Sequence, residues 1–427
     1  MPNAAPISSL FDWTWHRLTA NYWSLALGAA LLAPLAFAIL LYADKNGAAA
    51  WLVAHDLTPV ANAETARNVA SVVAGINTAY LALYFSIAVI VLTLAAGNLG
   101  VRLIDRWLGK RLVRVSIAGL CLNVLFAVLT MSAIDHEATL ARTPLLTFAV
   151  MILLLFVNTI MLAVATHDLG RSMFIDRGIT NIAQDGANRE LSVFGKQPEQ
   201  AEMTCIVASE RNGYVEGFDL EKLSKALKDC GTARLCVAPG QHVFKGQELI
   251  RSTRPCSNSA DVLHAIPIGP FRSSSQGAVY QSRLLVEIAA RALSPAINDF
   301  YTAIAAVDGL VELAMGHRDN WVDDGLAPAS EAYPNIELAG RDFRALFEDP
   351  LAALRQSAAD YPPVAIRIIG NLEQFLKVGD TPAPGLCAFL QTYVVTLHEH
   401  ARKRCETDHD RQSLDRALSQ FQESVDS

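Results

Sequence analysis

Four stretches of the chain carry no charge. Tyr22–Tyr42, Thr78–Ala96, Val115–Ala133 and Leu145–Ala165 hold no Lys, Arg, Asp or Glu, and from Thr166 onward charge returns at ordinary density. Each run is about 20 residues, and a helix rising ~1.5 Å per residue then matches a hydrocarbon core of about 30 Å. The pattern predicts a membrane α-helical fold class: a four-helix transmembrane domain over 1–170, followed by a cytosolic α+β domain. The expected spans are about 22–42, 77–96, 115–133 and 145–165. The stretch Asn62–Gly75 is Ala-rich and helix-competent, so the second span can begin as a longer helix outside the hydrocarbon.

Beyond the spans the periodicity shortens. Residues 171–202 read as a polar linker. Short apolar runs at Cys205–Ala208, Gly213–Phe218, Arg234–Val237 and Val243–Ile250, with a helix at Leu220–Lys228, predict a small β-rich module over 203–270. Pro239-Gly240 and Lys245-Gly246 mark its turns. Residues 271–427 read as a helical domain. Gln281–Leu293 is apolar or small around most of its circumference, with Glu287 and Arg291 as an i, i+4 pair. Ser294-Pro295 ends that helix, because the residue before proline is pushed out of the α region. Asn298-Asp299 can cap the next, whose stripe is Ile304, Val307, Leu310, Val311 and Ala314.

Charge placement in the loops sets an orientation. Arg102, Arg106, Lys110, Arg111 and Arg114 crowd the loop between the second and third spans, while the next loop holds Asp135, His136, Glu137 and a single Arg142. Basic loops stay cytoplasmic, and Arg17, Arg171 and Arg177 fall on the same side, so both termini are expected in the cytoplasm and the protein in the inner membrane. The N-terminal segment does not read as a cleavable signal, and Trp13, Trp15, Tyr22 and Trp23 form an aromatic belt before the first span.

Composition narrows the chemistry. With 52% hydrophobic and 18% charged residues, two environments share one chain. A net charge of -7, from Lys+Arg 35 against Asp+Glu 42, gives no basic excess for nucleic acid. Seven scattered cysteines without a CxxC pair fit reduced thiols. His398, Cys405 and His409 fall at i, i+7 and i+11, and the first two are roughly 10 Å apart along a helix, too far to share an ion. No GxGxxG, Walker, HExxH or GxSxG pattern falls where it would carry chemistry, so no enzymatic activity, cofactor or metal is expected.

The spans contain no mid-membrane acid or base, which argues against a proton relay or voltage sensor. Uncharged amides remain. Asn77, Asn123 and Asn158 are candidate pore-lining residues, with interhelical hydrogen bonding as the plainer alternative.

The phrases RNGYVEGFD, PGQHVFKGQEL and LLVEIAARALSPAINDFYTA resemble the predicted membrane protein family catalogued as domain of unknown function 2254. The resemblance covers most of the chain and implies the four-span order and the helical tail, and it supplies no active site. The family pattern places an acidic residue where this chain has Gly277 and a proline where it has Phe300. Around the SPAIND corner, Arg272, Arg291, Asn298 and Asp299 are candidates to bind an anionic ligand or a cytosolic partner, since arginine forks and helix starts favour anions. The alternative is a tight helix-helix corner. Two functions follow. One is a homo-oligomeric channel or transport-type protein for a small ion, gated by its cytosolic domain. The other is a membrane-anchored sensing or scaffold module that transports nothing.

Overall fold

The computed structural model describes residues 22–99, 110–135, 137–171, 175–188, 192–197, 202–256, 258–270, 272, 276–380 and 382–426. The chain divides into a unit formed mainly by residues up to 174 and a second formed mainly by residues 175–427. Trp13, Trp15, Arg17, Arg102, Arg106 and His136 lie outside the described residues, as do the side chains of Tyr22 and Trp23.

The first unit is built from helices. They are α1 (Tyr22–Ala43), α2 (Ala49–Ala54), α3 (Ala63–Leu99), α4 (Arg111–Ala133) and α5 (Leu145–Arg171). Among the described residues four helical stretches are long and apolar enough to cross a membrane: Ser24–Ala54, Ala63–Leu94, Arg111–Ala133 and Leu145–Arg171. The first runs past its expected end at 42, through a π-type turn at Asp44–Ala48 kinked at Asn46 and Gly47. The second begins at Ala63, well before 77. Asn62 starts it by accepting the Thr65 N–H at 2.7 Å, and the alanine-rich run that follows favours helix.

The unit is apolar on its outside. Leu31, Ile39, Ile90, Leu153, Phe156 and Ile160 are each more than 60% exposed, as a lipid solvent requires. Its interior is filled by small and aromatic residues, among them Ala66, Ala70, Val73, Phe126, Phe148 and Met151. The hydroxyls of Thr78, Ser86, Thr93, Thr130 and Thr159 each donate to the carbonyl four residues back, which satisfies them within their own helices.

The second unit is α+β. Its first elements are α6 (Ile175–Ala187) and β1 (Val193–Lys196), followed by β2 (Cys205–Ala208), β3 (Gly213–Val215), α7 (Leu220–Ala226), β4 (Ala233–Leu235), β5 (His242–Val243), β6 (Glu248–Ser252), α8 (Ser259–His264) and β7 (Ile268–Gly269). Then come α9 (Ala278–Ala292), α10 (Phe300–Met315), β8 (Ala327–Ser330), β9 (Ile336–Glu337), α11 (Phe343–Ala358), α12 (Pro362–Lys377), α13 (Pro384–Arg404) and α14 (Asp408–Asp426). A six-stranded sheet runs β1-β8-β9-β4-β6-β2, and a three-stranded sheet runs β5-β3-β7. Only β4 and β9 pair in parallel among the described strands.

Two expectations change here. The stretch 171–202 is more than a linker: it holds α6, whose Ile179, Ile182 and Ala183 are buried and which packs against α9 and α10, and it supplies edge strand β1. The β-rich stretch 203–270 also does not complete its own sheet. Strands β8 and β9 come from the region read as purely helical, and they insert between β1 and β4. Ile336 and Leu338 there join the core formed by Val207, Leu223, Leu235, Ile250 and Val262, and this burial drives the long-range pairing.

Candidate functional site

In the membrane unit three helices converge on one amide. Asn158 on α5 donates through Nδ2 to Asn77 Oδ1 on α3 at 2.9 Å and to the Gly119 carbonyl on α4 at 3.0 Å. Asn77 in turn donates to the Val73 carbonyl at 2.9 Å. Gly119 is what permits the approach, because a Cβ there would lie 2.7 Å from Asn158 Oδ1. Small residues let helices close on polar partners in this way.

The structure thus brings Asn77 and Asn158 together and leaves Asn123 apart. Asn123 sits one turn along α4 from Gly119 and is fully buried, yet neither its Nδ2 nor its Oδ1 finds a hydrogen-bond partner among the described residues. Gly119 was not singled out from sequence. Its signal is a glycine four residues before a membrane asparagine, on the same helical face.

Asp44 is a second missed residue. Its carboxylate is 6% exposed and accepts the Leu146 N–H at 2.9 Å, the Thr147 N–H at 3.0 Å and the Thr147 hydroxyl at 2.7 Å. It therefore caps α5 from 102 residues away, where the free N–H groups and the positive end of the helix dipole favour an anion. Of the basic loop, Lys110 pairs with Asp168 at 2.8 Å.

At the SPAIND corner the polar groups have local partners. Asp299 is the N-cap of α10, accepting the Thr302 N–H at 3.1 Å and the Thr302 hydroxyl at 2.5 Å. Its own N–H donates to the Ala292 carbonyl at 2.8 Å, and Tyr361 OH donates to the Leu293 carbonyl at 2.6 Å. Asn298 makes the turn at φ 48°. Arg291 lies 3.8 Å from Glu287, one turn back on α9, while Arg272 stacks over the Tyr214 ring at 5.2 Å. Asn298 and Asp299 share the corner, and the two arginines have contacts of their own. The geometry is that of a helix-helix turn. Asp299→Ala is expected to lower the stability of the α+β unit by about 1 kcal/mol, read from chemical denaturation, with Asp299→Ser close to the parent.

Gly277, the position where the resemblance implies an acidic residue, precedes α9 at φ 59°, ψ -138°, a backbone conformation natural to glycine and strained for any other residue. An acidic side chain would have to be built on a different backbone.

Four thiols of the α+β unit are shifted away from the reactive thiolate form. Burial pushes Cys230 up to about 12, with Cys256 beside it adding to the shift, and burial raises Cys236, Cys387 and Cys405 as well. Such thiols stay protonated near neutrality. His398 binds Asp415 at 2.7 Å, and Asp415 is held below the usual carboxylate range by Arg402 first and His398 second.

Four apolar spans joined to a mixed α+β unit define a multi-span membrane protein. The chain belongs to the family described as predicted membrane protein (DUF2254), which it matches over residues 19–374. Among curated proteins it is similar to the uncharacterized proteins Mb1321c of Mycobacterium bovis and Rv1290c of Mycobacterium tuberculosis, each 27% identical over 278 residues, which is 59% of this chain and 53% of theirs. The chain thus spans about half the length of the curated relatives it matches. No solved structure matches it.

Proposed function

We propose that the protein is a membrane-anchored sensing or scaffold module, its four spans holding the α+β unit at the cytoplasmic face of the inner membrane. The observation that carries this reading is the Asn158–Asn77 bond at 2.9 Å. Two of the three amides available to line a path are spent on joining helices, and both are buried. The basic positions Lys110, Arg111 and Arg114 support a cytoplasmic placement of that loop and of the termini. No chemical conversion of a substrate enters the reading.

One observation favours the second reading, a homo-oligomeric channel or transport-type protein gated by its α+β unit. Asn123 keeps both amide atoms buried without partners, and an unsatisfied group of this kind costs about 1–3 kcal/mol. A hydrated or ion-bearing path would offset that cost.

Flux through reconstituted liposomes separates the two. Under the anchor reading, K⁺, Na⁺ and Cl⁻ leak at the rate of empty vesicles across pH, and Asn123→Leu leaves the protein as stable or more so. Flux several-fold above empty vesicles that Asn123→Leu abolishes would replace the anchor with the channel.

A further inference from the structure

An open cleft in the α+β unit lies between α11 and α13. Its volume is about 570 Å³, roomy enough for a small organic molecule. Trp321 and Phe389 form its aromatic wall, with ring centroids 5.8 Å apart and planes at 44°. The guanidinium of Arg344 lies 5.2 Å over the Trp321 ring at the mouth, where it is bonded to Asp324.

The deep end is different. Tyr393 on α13 is 5% exposed, and its hydroxyl finds no hydrogen-bond partner among the described residues. Arg355 on α11 presents a buried Nε, also without a partner. Burial holds the Tyr393 phenol well above the ordinary tyrosine range, outweighing the Arg355 charge, which pulls the other way. Both groups are therefore hydrogen-bond donors at physiological pH, and arginine has no acceptor capacity at all. Buried donors left unmatched are costly and call for an acceptor. Three carboxylates line the same cleft: Asp323 accepts the Trp321 Nε1–H at 3.2 Å, Asp324 takes Arg344, and Glu348, one turn along α11 from Arg344, acts on that guanidinium through its charge.

We propose that this cleft binds a small organic carboxylate with a planar apolar body, its carboxylate on Arg355 and Tyr393 and its plane against Trp321 and Phe389. A guanidinium and a phenol together can serve both carboxylate oxygens, and the aromatic wall supplies the apolar contact that orients the rest. The inference goes beyond the anchor reading and holds whether or not ions cross the spans.

The test uses the full chain in lipid nanodiscs, with empty nanodiscs subtracted, and follows benzoate by saturation-transfer NMR. Benzoate is expected to bind saturably with Kd below about 1 mM, a reasonable strength for so few atoms. Benzamide and benzylamine, which share the ring without the anion, should bind at least tenfold more weakly. Tyr393→Phe removes only the hydroxyl and should weaken benzoate several-fold, and Arg355→Gln should weaken it by tenfold or more, the usual loss when a charged hydrogen-bond partner is removed. Equal binding of benzamide, preference for benzylamine, absence of saturable benzoate binding, or full affinity in Tyr393→Phe would each overturn the proposal. Tyr393→Phe and the uncharged ligand keep the test decisive even if Arg355→Gln fails to fold.

Discussion

Arg318→Ala is expected to cost the α+β unit about 2–3 kcal/mol, because three backbone carbonyls lose one charged donor together and hydrogen bonds to a charged group are worth about 1.5–3 kcal/mol. Arg318 follows α10, is 8% exposed, and reaches across to the end of α12. Its guanidinium donates to the carbonyls of Leu376, Val378 and Asp380 and lies 5.4 Å from the Phe375 ring centroid. The last carbonyls of a helix have no partner within it and carry the negative end of its dipole, so a planar cation with several N–H groups suits them. Truncation strands these acceptors and opens space against Phe375, itself in contact with Phe343 in the aromatic core. Arg318→Lys should recover the charge but not the fork, and so restore only part of the stability. Denaturant titration of the purified chain, with hydrogen exchange at residues 376–380, measures both. A loss under about 1 kcal/mol for Arg318→Ala would show that those carbonyls are served by something else.

Arg318 also illustrates what a sequence hides. Nothing around residues 318–320 indicates a partner some 60 positions later, because the contact exists only once α10 and α12 pack. The membrane helices were legible for the opposite reason: a run such as Leu145–Ala165 excludes charge by itself, and lipid imposes the same length on every span. Local turn chemistry was legible too, since Asp299 caps α10 with its own Thr302 and needs no distant residue. The six-stranded sheet was not. Its strands are two to five residues long, and β9 pairs in parallel with β4 about 100 positions away, so no period of two had room to emerge. Helix α6 was concealed by the polar residues surrounding Ile179 and Ile182, which made an amphipathic helix resemble a linker.

The candidate site divides along the same line. Membrane asparagines stand out in an apolar run, so Asn77, Asn123 and Asn158 were visible as polar positions. Their pairing was not, because it depends on Gly119 admitting Asn158. The α11–α13 cleft left no trace in sequence: Tyr393 reads as one more aromatic residue on a helical face, and only burial without a partner distinguishes it.

The largest effect in the membrane unit is expected from Asp44→Ala, a loss of about 2–4 kcal/mol, because two backbone N–H groups and one hydroxyl lose their acceptor together and each stranded donor costs about 1–3 kcal/mol. The position argues against an easy rescue by solvent. Asp44 is 6% exposed, and Thr147 beneath it is fully buried, so water cannot simply take the place of the carboxylate. The chain geometry makes the contact specific: the π-type turn at Asp44–Ala48 that follows α1 sets Asp44 against the start of α5, so the cap ties the two helices at this end. Asp44→Asn separates the contributions. It keeps an acceptor for one N–H but loses the charge that favours a helix N-terminus, an interaction worth up to about 2 kcal/mol where partly buried, and so should fall midway. Hydrogen exchange at Leu146 and Thr147 in nanodiscs reads the cap directly, with tenfold faster exchange for each 1.4 kcal/mol lost. If the Asn variant matches Ala, charge dominates the cap; if it matches the parent, hydrogen bonding does. Unchanged exchange in Asp44→Ala would mean that α5 is held at this end by packing alone.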